Sequence, residues 1–359
     1  MKALIIQNKE VGEILASSVI ANNLKKIYPD IKIDFLCYKK SMGLLQKNPN
    51  IDRILTINSR NLYSLFTIFL VYRYIRLIRS NKYDILIDPY QHLSSAILSF
   101  FSGAKKRYSF NHKFLGKCYD FLIPKAIKPV TQTCTLLENR LNLLQPFLKD
   151  NPIPLNPQTK IYLSEDEIMD AREKLIEGGI RMKRPIIMLG VLGSSIHKTW
   201  TLGNMAKLID FIWLNYRADL LLNYLPTQEE NVKSLLSLLN TTTKVYTQPV
   251  GQSIREFSAL MKNCTLYIGN EGRGVIVAKA LEKPTFTIFA PYTLRRDIAC
   301  YENTSLHRSV HLQDYLPNLF RDFDTIELYK DSSKFYLMLS PDFVIVKLKP
   351  FLSEHLSVF

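Results

Sequence analysis

The stretch IGNEGRGVIVAKALEKPTFTIFAP, residues 268–291, runs an apolar strand ending at Ile268 into a loop with three glycines, then a helix, then a second strand. Gly269, Gly272 and Gly274 are read as bringing bare backbone N–H groups close to an anion at a helix N-terminus, where the dipole also favours negative charge. Glu271, in the middle of the same loop, repels such an anion. A ligand with two faces reconciles the two, a diphosphate for the amides and sugar hydroxyls for the carboxylate. The glycine spacing is neither G-x-G-x-x-G nor a Walker A loop, so the spacing alone names no nucleotide.

Outward from this stretch the same alternation continues in both directions. Upstream come RPIIMLGVL (184–192) as a strand, 202–216 as a helix, ADLLLNY (218–224) as a strand, 226–239 as a helix, then KVYT (244–247) and the helix 253–264. The first half repeats the scheme with strands at 2–7, 32–38, 53–58 and 84–89 and helices at 12–28 and 62–80. Alternating strands and helices argue for parallel sheets covered on both faces. The chain of 359 residues exceeds one core. The expectation is therefore α/β, two Rossmann-like doubly wound domains facing across a cleft. The Pro- and Asn-rich stretch 150–159 reads as a linker, which sets the domains at 1–155 and 156–335. In the remainder, 336–359, Ser340 and Pro341 read as the N-cap and first position of a last helix, expected to pack back on the first domain.

Charge divides unevenly. Residues 1–150 carry 23 Lys+Arg against 10 Asp+Glu, and the rest carry 24 against 22, so nearly all of the net +15 belongs to the first half. Such asymmetry predicts that this half meets something anionic. The five cysteines are odd in number and scattered, with no disulfide framework or zinc spacing, which suits a reducing cytoplasm. The longest oily run, 62–72, is too short to span a bilayer, and the first residues are too briefly apolar for a signal peptide.

Four places carry candidate chemistry. Gly12 and Glu13 follow the first strand, where ligands of open parallel sheets bind, although a carboxylate at a helix start is also explained by the dipole. GVLGSSIHKTW (190–200) supplies Gly193, Ser194 and Ser195 as donors and Lys198 as a cation, or is an ordinary polar loop. In the opening loop Arg273 either contacts a diphosphate or pairs with Glu271 to stiffen the turn. The run Lys105, Lys106, Arg107 touches acceptor phosphates or is a solvated face. His197 reads as incidental, and the D-x-D at Asp322–Asp324 receives no metal.

Taken in order, these places resemble glycosyltransferase family 9, the lipopolysaccharide heptosyltransferases, over nearly the whole chain. The resemblance is carried by VGEILASSVIANNLKKIYPDIKIDFLC, NPNIDRIL, YDILIDPYQHLSSAILSFFSGAKKR, KTWTLGNMAKLIDF and YIGNEGRGVIVAKALEKPTFTIFAP. It implies a GT-B fold and an inverting, metal-independent transfer from a nucleotide-diphospho-sugar, ADP-heptose by family default, with no other cofactor. The acceptor it implies is an anionic lipid A–inner core glycolipid, met at the inner face of the inner membrane by a cytoplasmic, peripheral protein, with no nucleic acid partner.

By the same resemblance Glu13 is the general base and Lys198 neutralises the leaving diphosphate. Asn270, Glu271, Gly272 and Arg273 match the donor loop, where Glu271 reaches sugar hydroxyls; Gly193, Ser194, Ser195 and Gly274 complete the donor set. Gly12, Glu13, Lys105, Lys106 and Arg107 form the acceptor set. The chain departs from the family pattern in having glutamate for aspartate at both 13 and 271, Gly-Arg for Ser-Gly at 272–273, and Ile276 for a histidine. Two other readings are an epimerase of similar fold and a non-catalytic binder of anionic surfaces or nucleic acid; an inactive relative is a third.

Overall fold

A computed structural model describes the chain apart from residues 59–64, 132, 150, 303 and 357–359, with side chains left out for 65–70. It divides into two units. Unit 1 is Met1–Tyr162 with Arg296–Cys300, and unit 2 is Leu163–Arg295 with Tyr301–Phe359. The linker expected at 150–159 belongs to unit 1, and the boundary falls just beyond it.

Unit 1 holds six parallel strands, β1 (Lys2–Ile6), β2 (Lys32–Tyr38), β3 (Arg53–Ile57), β4 (Ile85–Asp88), β5 (Lys106–Phe110) and β6 (Phe121–Ile123), in the order β3-β2-β1-β4-β5-β6. Its helices are α1 (Val11–Ile27), α2 (Leu65–Ser80), α3 (Leu93–Phe101) and α4 (Thr135–Asn142). The central strands are buried on both faces, so they read as continuous apolar runs rather than alternating ones. The helix expected over 62–80 begins in the described part at Leu65; its first residues lie outside the described residues.

Unit 2 contains α5 (Glu165–Glu177), β7 (Ile186–Gly190), α6 (Leu202–Asn215), β8 (Asp219–Asn223), α7 (Glu229–Leu236), α8 (Ile254–Asn263), β9 (Leu266–Asn270), α9 (Arg273–Ala280), β10 (Thr285–Ile288) and β11 (His307–Val310). The parallel sheet runs β11-β10-β9-β7-β8. KVYT contributes one bridge, Tyr246 to Leu221, at the free edge of β8, so a third strand survives as a single rung. Both units therefore follow the Rossmann plan, in which the chain reverses direction across the sheet beside the first strand.

The C-terminal helix Pro341–His355 starts as its cap predicts, with Ser340 Oγ accepting from the Phe343 N–H at 3.4 Å. In place of the expected packing on the first domain, its apolar stripe packs within unit 2. Val344, Leu348, Phe351 and Leu352 are buried in the core of unit 2, where Phe351 lies 5.8 Å from the Phe286 ring of β10. Those four positions form one helical stripe, and the α6–β11 surface of unit 2 is the apolar face that it covers. A second correction concerns cysteine. Cys134 and Cys300, 166 residues apart, form a disulfide within unit 1. Separation of that length gives the sequence no spacing signature.

Candidate functional site

All strands of unit 1 are parallel, so the loops after β1, β4, β5 and β6 leave from one edge of the sheet. Glu13 stands there in the first turn of α1. Its carboxylate Oε2 pairs with the guanidinium of Arg140, a residue of α4 that is only 4% exposed. Arg140 also donates through Nε to Ser17 Oγ at 3.0 Å, and Gln7 Nε2 donates to the same hydroxyl at 3.1 Å. Ser17 lies one turn after Glu13 on the same face of α1, so a relay from the end of β1 holds the Arg140 end of the ion pair beside Glu13. The Phe110 ring packs beneath Arg140 at 5.6 Å. Burial disfavours the charged guanidinium and draws its pKa down, with Glu13 opposing.

Glu13 Oε1 accepts a long hydrogen bond from the exposed Lys9 Nζ at 3.5 Å. Lys125 reaches the same edge over the Phe110 ring at 5.1 Å, its pKa lowered first by burial and then by Arg140 and Lys9. Asp88 ends β4 fully buried. It accepts from the Tyr119 hydroxyl at 2.6 Å and from the Tyr90 and Gln91 amides, and burial raises its pKa. Asp88 thus shapes the turn that follows it.

The structure does not bring Lys105, Lys106 and Arg107 to this edge. β5 begins at Lys106 and runs parallel to β1, which puts the basic run at the opposite, amino edge. There Lys105 pairs with Asp84 at 2.7 Å and Arg107 makes a two-pronged pair with Asp120. Gly12 and Glu13 alone of the expected acceptor set stand at the carboxyl edge.

In unit 2 the corresponding edge gathers the ends of β7 and β9. Lys198 Nζ lies 3.2 Å from Glu271 Oε1, and Glu271 is 3% exposed. The contact is not aligned as a hydrogen bond, so Oε1 keeps unfilled acceptor capacity, while Oε2 accepts weakly from the Ala290 amide at 3.4 Å. Arg273, exposed at the start of α9, makes no ion pair among the described residues, so the expected alternative of an Arg273–Glu271 pair is not realised. Ser194 and Ser195 are exposed in the 191–200 loop. The buried Tyr336 hydroxyl has no hydrogen-bond partner among the described residues, and burial together with the Glu271 charge holds it protonated.

Three expected donor-binding residues have structural duties. Asn270 is 2% exposed and its side chain is fully engaged: Oδ1 accepts from the Trp200 amide at 2.8 Å, and Nδ2 donates to the carbonyls of Gly190 and Val191 at 3.1 and 3.0 Å. It clamps the 191–200 loop to β9. The Gly193 amide donates to Thr199 Oγ1 at 3.0 Å, and a Cβ on Gly193 would lie 2.2 Å from the Lys198 carbonyl. Gly274 makes room for a phenol, since its Cβ would lie 2.3 Å from the Tyr267 hydroxyl. Gly269 faces Gly190 across the ladder, where its Cβ would meet the Gly190 carbonyl at 2.4 Å. Of the three loop glycines 269, 272 and 274, Gly272 has open space, with φ at +142° as the N-cap of α9.

Residues 71–315 match the sequence profile of glycosyltransferase family 9 (heptosyltransferase). The chain belongs to this family. It is a glycosyltransferase. Its relatives include lipopolysaccharide heptosyltransferase 3 of Escherichia coli, 25% identical over 285 residues that cover 77% of this chain and 80% of the relative. Among solved structures, a family 9 glycosyltransferase from Veillonella parvula superposes with a TM-score of 0.81 at 16% identity, covering 98% of this chain and 97% of that one. The E. coli heptosyltransferase WaaC with ADP gives 0.70 at 15%, covering 98% and 100%. At such identities these likenesses establish the fold, two Rossmann-like units of the GT-B type.

Within this family member, sequence reasoning missed Arg140, Ser17 and Gln7. A signal existed for the first: Arg140 sits in TLLENRLNLL, among leucines at helical spacing, where a cation is buried only with a partner. Nothing in the sequence named Glu13 as that partner. His197, read as incidental, hydrogen-bonds Ser332 at 2.8 Å and lies on the Tyr329 ring, a packing role. Asp324 of the D-x-D caps the helix Thr325–Lys330 through the Ile326 and Glu327 amides.

Proposed function

We propose that this family 9 glycosyltransferase moves a sugar, heptose by family default, from a nucleotide-diphospho-sugar to an anionic lipopolysaccharide inner-core acceptor, with inversion and with cationic side chains in place of a metal ion. The single observation that carries the reading is the tethered Glu13: one carboxylate oxygen is fixed by buried Arg140, and the other, at the carboxyl edge of the sheet, is held only by a 3.5 Å contact with the exposed Lys9. That oxygen takes the proton of an acceptor hydroxyl as the hydroxyl oxygen attacks the anomeric carbon. The new C–O bond forms on the face opposite the old one. The bond to the diphosphate breaks, and its electron pair goes to the leaving oxygen.

Lys198 and Arg273 meet that growing charge. In the empty protein Lys198 rests on Glu271. Arrival of the diphosphate takes Lys198, and the unfilled Oε1 of Glu271 then accepts from a sugar hydroxyl. The added methylene of each glutamate is matched by a partner on a long side chain, Arg140 for Glu13 and Lys198 for Glu271. The protein works at the cytoplasmic face of the inner membrane, where the acceptor lies; among the described residues no helix is long and apolar enough to cross a membrane.

A thermal-shift panel of nucleotide diphosphates and nucleotide sugars, followed by transfer assays with an inner-core oligosaccharide, tests the reading. Selective stabilisation by one donor identifies it through linkage of binding to stability. Glu13→Gln should then abolish transfer while retaining that stabilisation. Near-normal turnover in this variant removes Glu13 from the role, and consumption of the nucleotide sugar without any acceptor favours an epimerase.

A further inference from the structure

The three most exposed large apolar side chains among the described residues are Val130 at 89%, Ile127 at 86% and Phe114 at 78%. All three lie in two consecutive loops of unit 1. The first, NHKFLGKC (111–118), leaves the carboxyl end of β5; the second, PKAIKPV (124–130), leaves the carboxyl end of the adjacent β6. Both loops are held in place. The Asn111 amide donates to the Ile123 carbonyl at 2.9 Å, His112 Nδ1 accepts from Phe114 and Leu115, and the Ala126 amide donates to Asn139 of α4 at 2.7 Å. Apolar tips on anchored loops bury little within the unit, and solution alone gives no reason to keep them so open.

Lysines interleave with these tips. Lys113 and Lys117 flank Phe114, and Lys125 and Lys128 flank Ile127, while the only acid from 111 to 130 is Asp120, which is taken by Arg107. Apolar side chains set between lysines on two neighbouring loops match a bilayer carrying anionic headgroups, with the apolar tips entering below the headgroups and the ammonium groups staying among the phosphates. A nucleic acid would match the charge but leave the aliphatic Ile127 and Val130 without a base to stack on. The second loop also begins beside the site, since Lys125 shares the Phe110 ring with Arg140.

We infer that loops 111–118 and 124–130 form a docking surface for an anionic lipid bilayer, with Phe114, Ile127 and Val130 as insertion points and Lys113, Lys117 and Lys128 as headgroup contacts. The surface brings Glu13 to the lipid face on which a lipid-anchored acceptor presents its hydroxyl. This deepens the proposed function and rests on it for the acceptor, but vesicle binding is measured without any sugar transfer.

The test uses the full chain in flotation with vesicles of phosphatidylcholine, with and without phosphatidylglycerol. Wild type should float with the anionic vesicles, weakly with the neutral ones, and less at high salt. The variant F114S/I127S/V130S should lose at least about tenfold in partitioning, in keeping with the removal of three apolar insertions. K113Q/K117Q/K128Q should lose affinity for anionic vesicles and its salt dependence together. Both variants should keep the wild-type melting temperature and turn over a delipidated oligosaccharide acceptor normally, while losing turnover on vesicle-embedded acceptor.

Equal binding of wild type to neutral and anionic vesicles, unchanged flotation of the triple-serine variant, or binding to RNA in place of vesicles would each overturn the assignment. Intact vesicle binding with no transfer to either acceptor leaves the surface standing and refutes the functional reading alone.

Discussion

Removing the Asn270 side chain separates a clamp from a ligand. Asn270→Ala strips the Trp200 amide of its acceptor and two carbonyls of a donor, all three in a buried setting. An orphaned buried amide costs about 1–3 kcal/mol, and each carbonyl, which has a second lone pair, costs less. The expected loss is therefore about 2–4 kcal/mol of unit 2 stability, measured without any donor present. Asn270→Asp should be at least as harmful at neutral pH, because it keeps an oxygen for Trp200 but sets a second one against the Gly190 and Val191 carbonyls.

The assay is urea unfolding followed by tryptophan fluorescence. The chain has two tryptophans, Trp200 and Trp213, both in unit 2, so the signal reports that unit alone. A stability change under about 0.5 kcal/mol together with a tenfold rise in donor KM would refute the clamp and restore Asn270 to the donor set.

Arg140→Ala should lower kcat by about a hundredfold with little change in donor KM, since it frees the Glu13 carboxylate to leave its productive orientation; Arg140→Lys should recover part of the loss, and equal losses in both variants would point to general damage. Gly190→Ala should destabilise unit 2 by about 2 kcal/mol or more, because its Cβ would lie 1.7 Å from the Tyr267 hydroxyl; adding Tyr267→Ala should offset part of this, and chemical denaturation of the pair checks it. Burial holds His307 and His311 neutral, with pKa values of about 3 and about 4 against 6.5. The unfolded chain therefore binds protons first. Stability is complete above pH 6.5 and falls as pH drops toward 3–4, by up to about 1.4 kcal/mol per pH unit for each histidine; urea midpoints at pH 7 and pH 5 should show the fall, and His307→Gln with His311→Gln should flatten it.

The sheets were legible where strands are buried on both faces, because a continuous apolar run such as ALII or PIIMLG needs no context. β5 was hidden because it opens with Lys106 and Arg107, whose charges belong to an edge and not to a loop. β6 has three residues, too few for any period to register. The site was half legible. Glu13 and Lys198 stand at carboxyl edges, as the parallel-sheet rule requires, but a glycine in a sequence does not say whether it spares room for a phosphate or for Tyr267. Likewise an asparagine in a loop does not show that its amide is already spent on backbone. Packing over long sequence separations decides both. The start of the last helix was legible from Ser340 and Pro341, but the surface its apolar residues cover was not, for the same reason.

The visit of residues 296–300 to unit 1 has a consequence for the order in which the protein is made. The Arg296 carbonyl accepts from Thr135 Oγ1 at 3.1 Å, and Cys134 at the head of α4 waits 166 residues for its partner. At ribosomal speeds that is roughly ten to thirty seconds of synthesis. The amino-terminal lobe thus emerges first but is finished late, and a fragment cut at Tyr162 would be short of the thread that fastens α4.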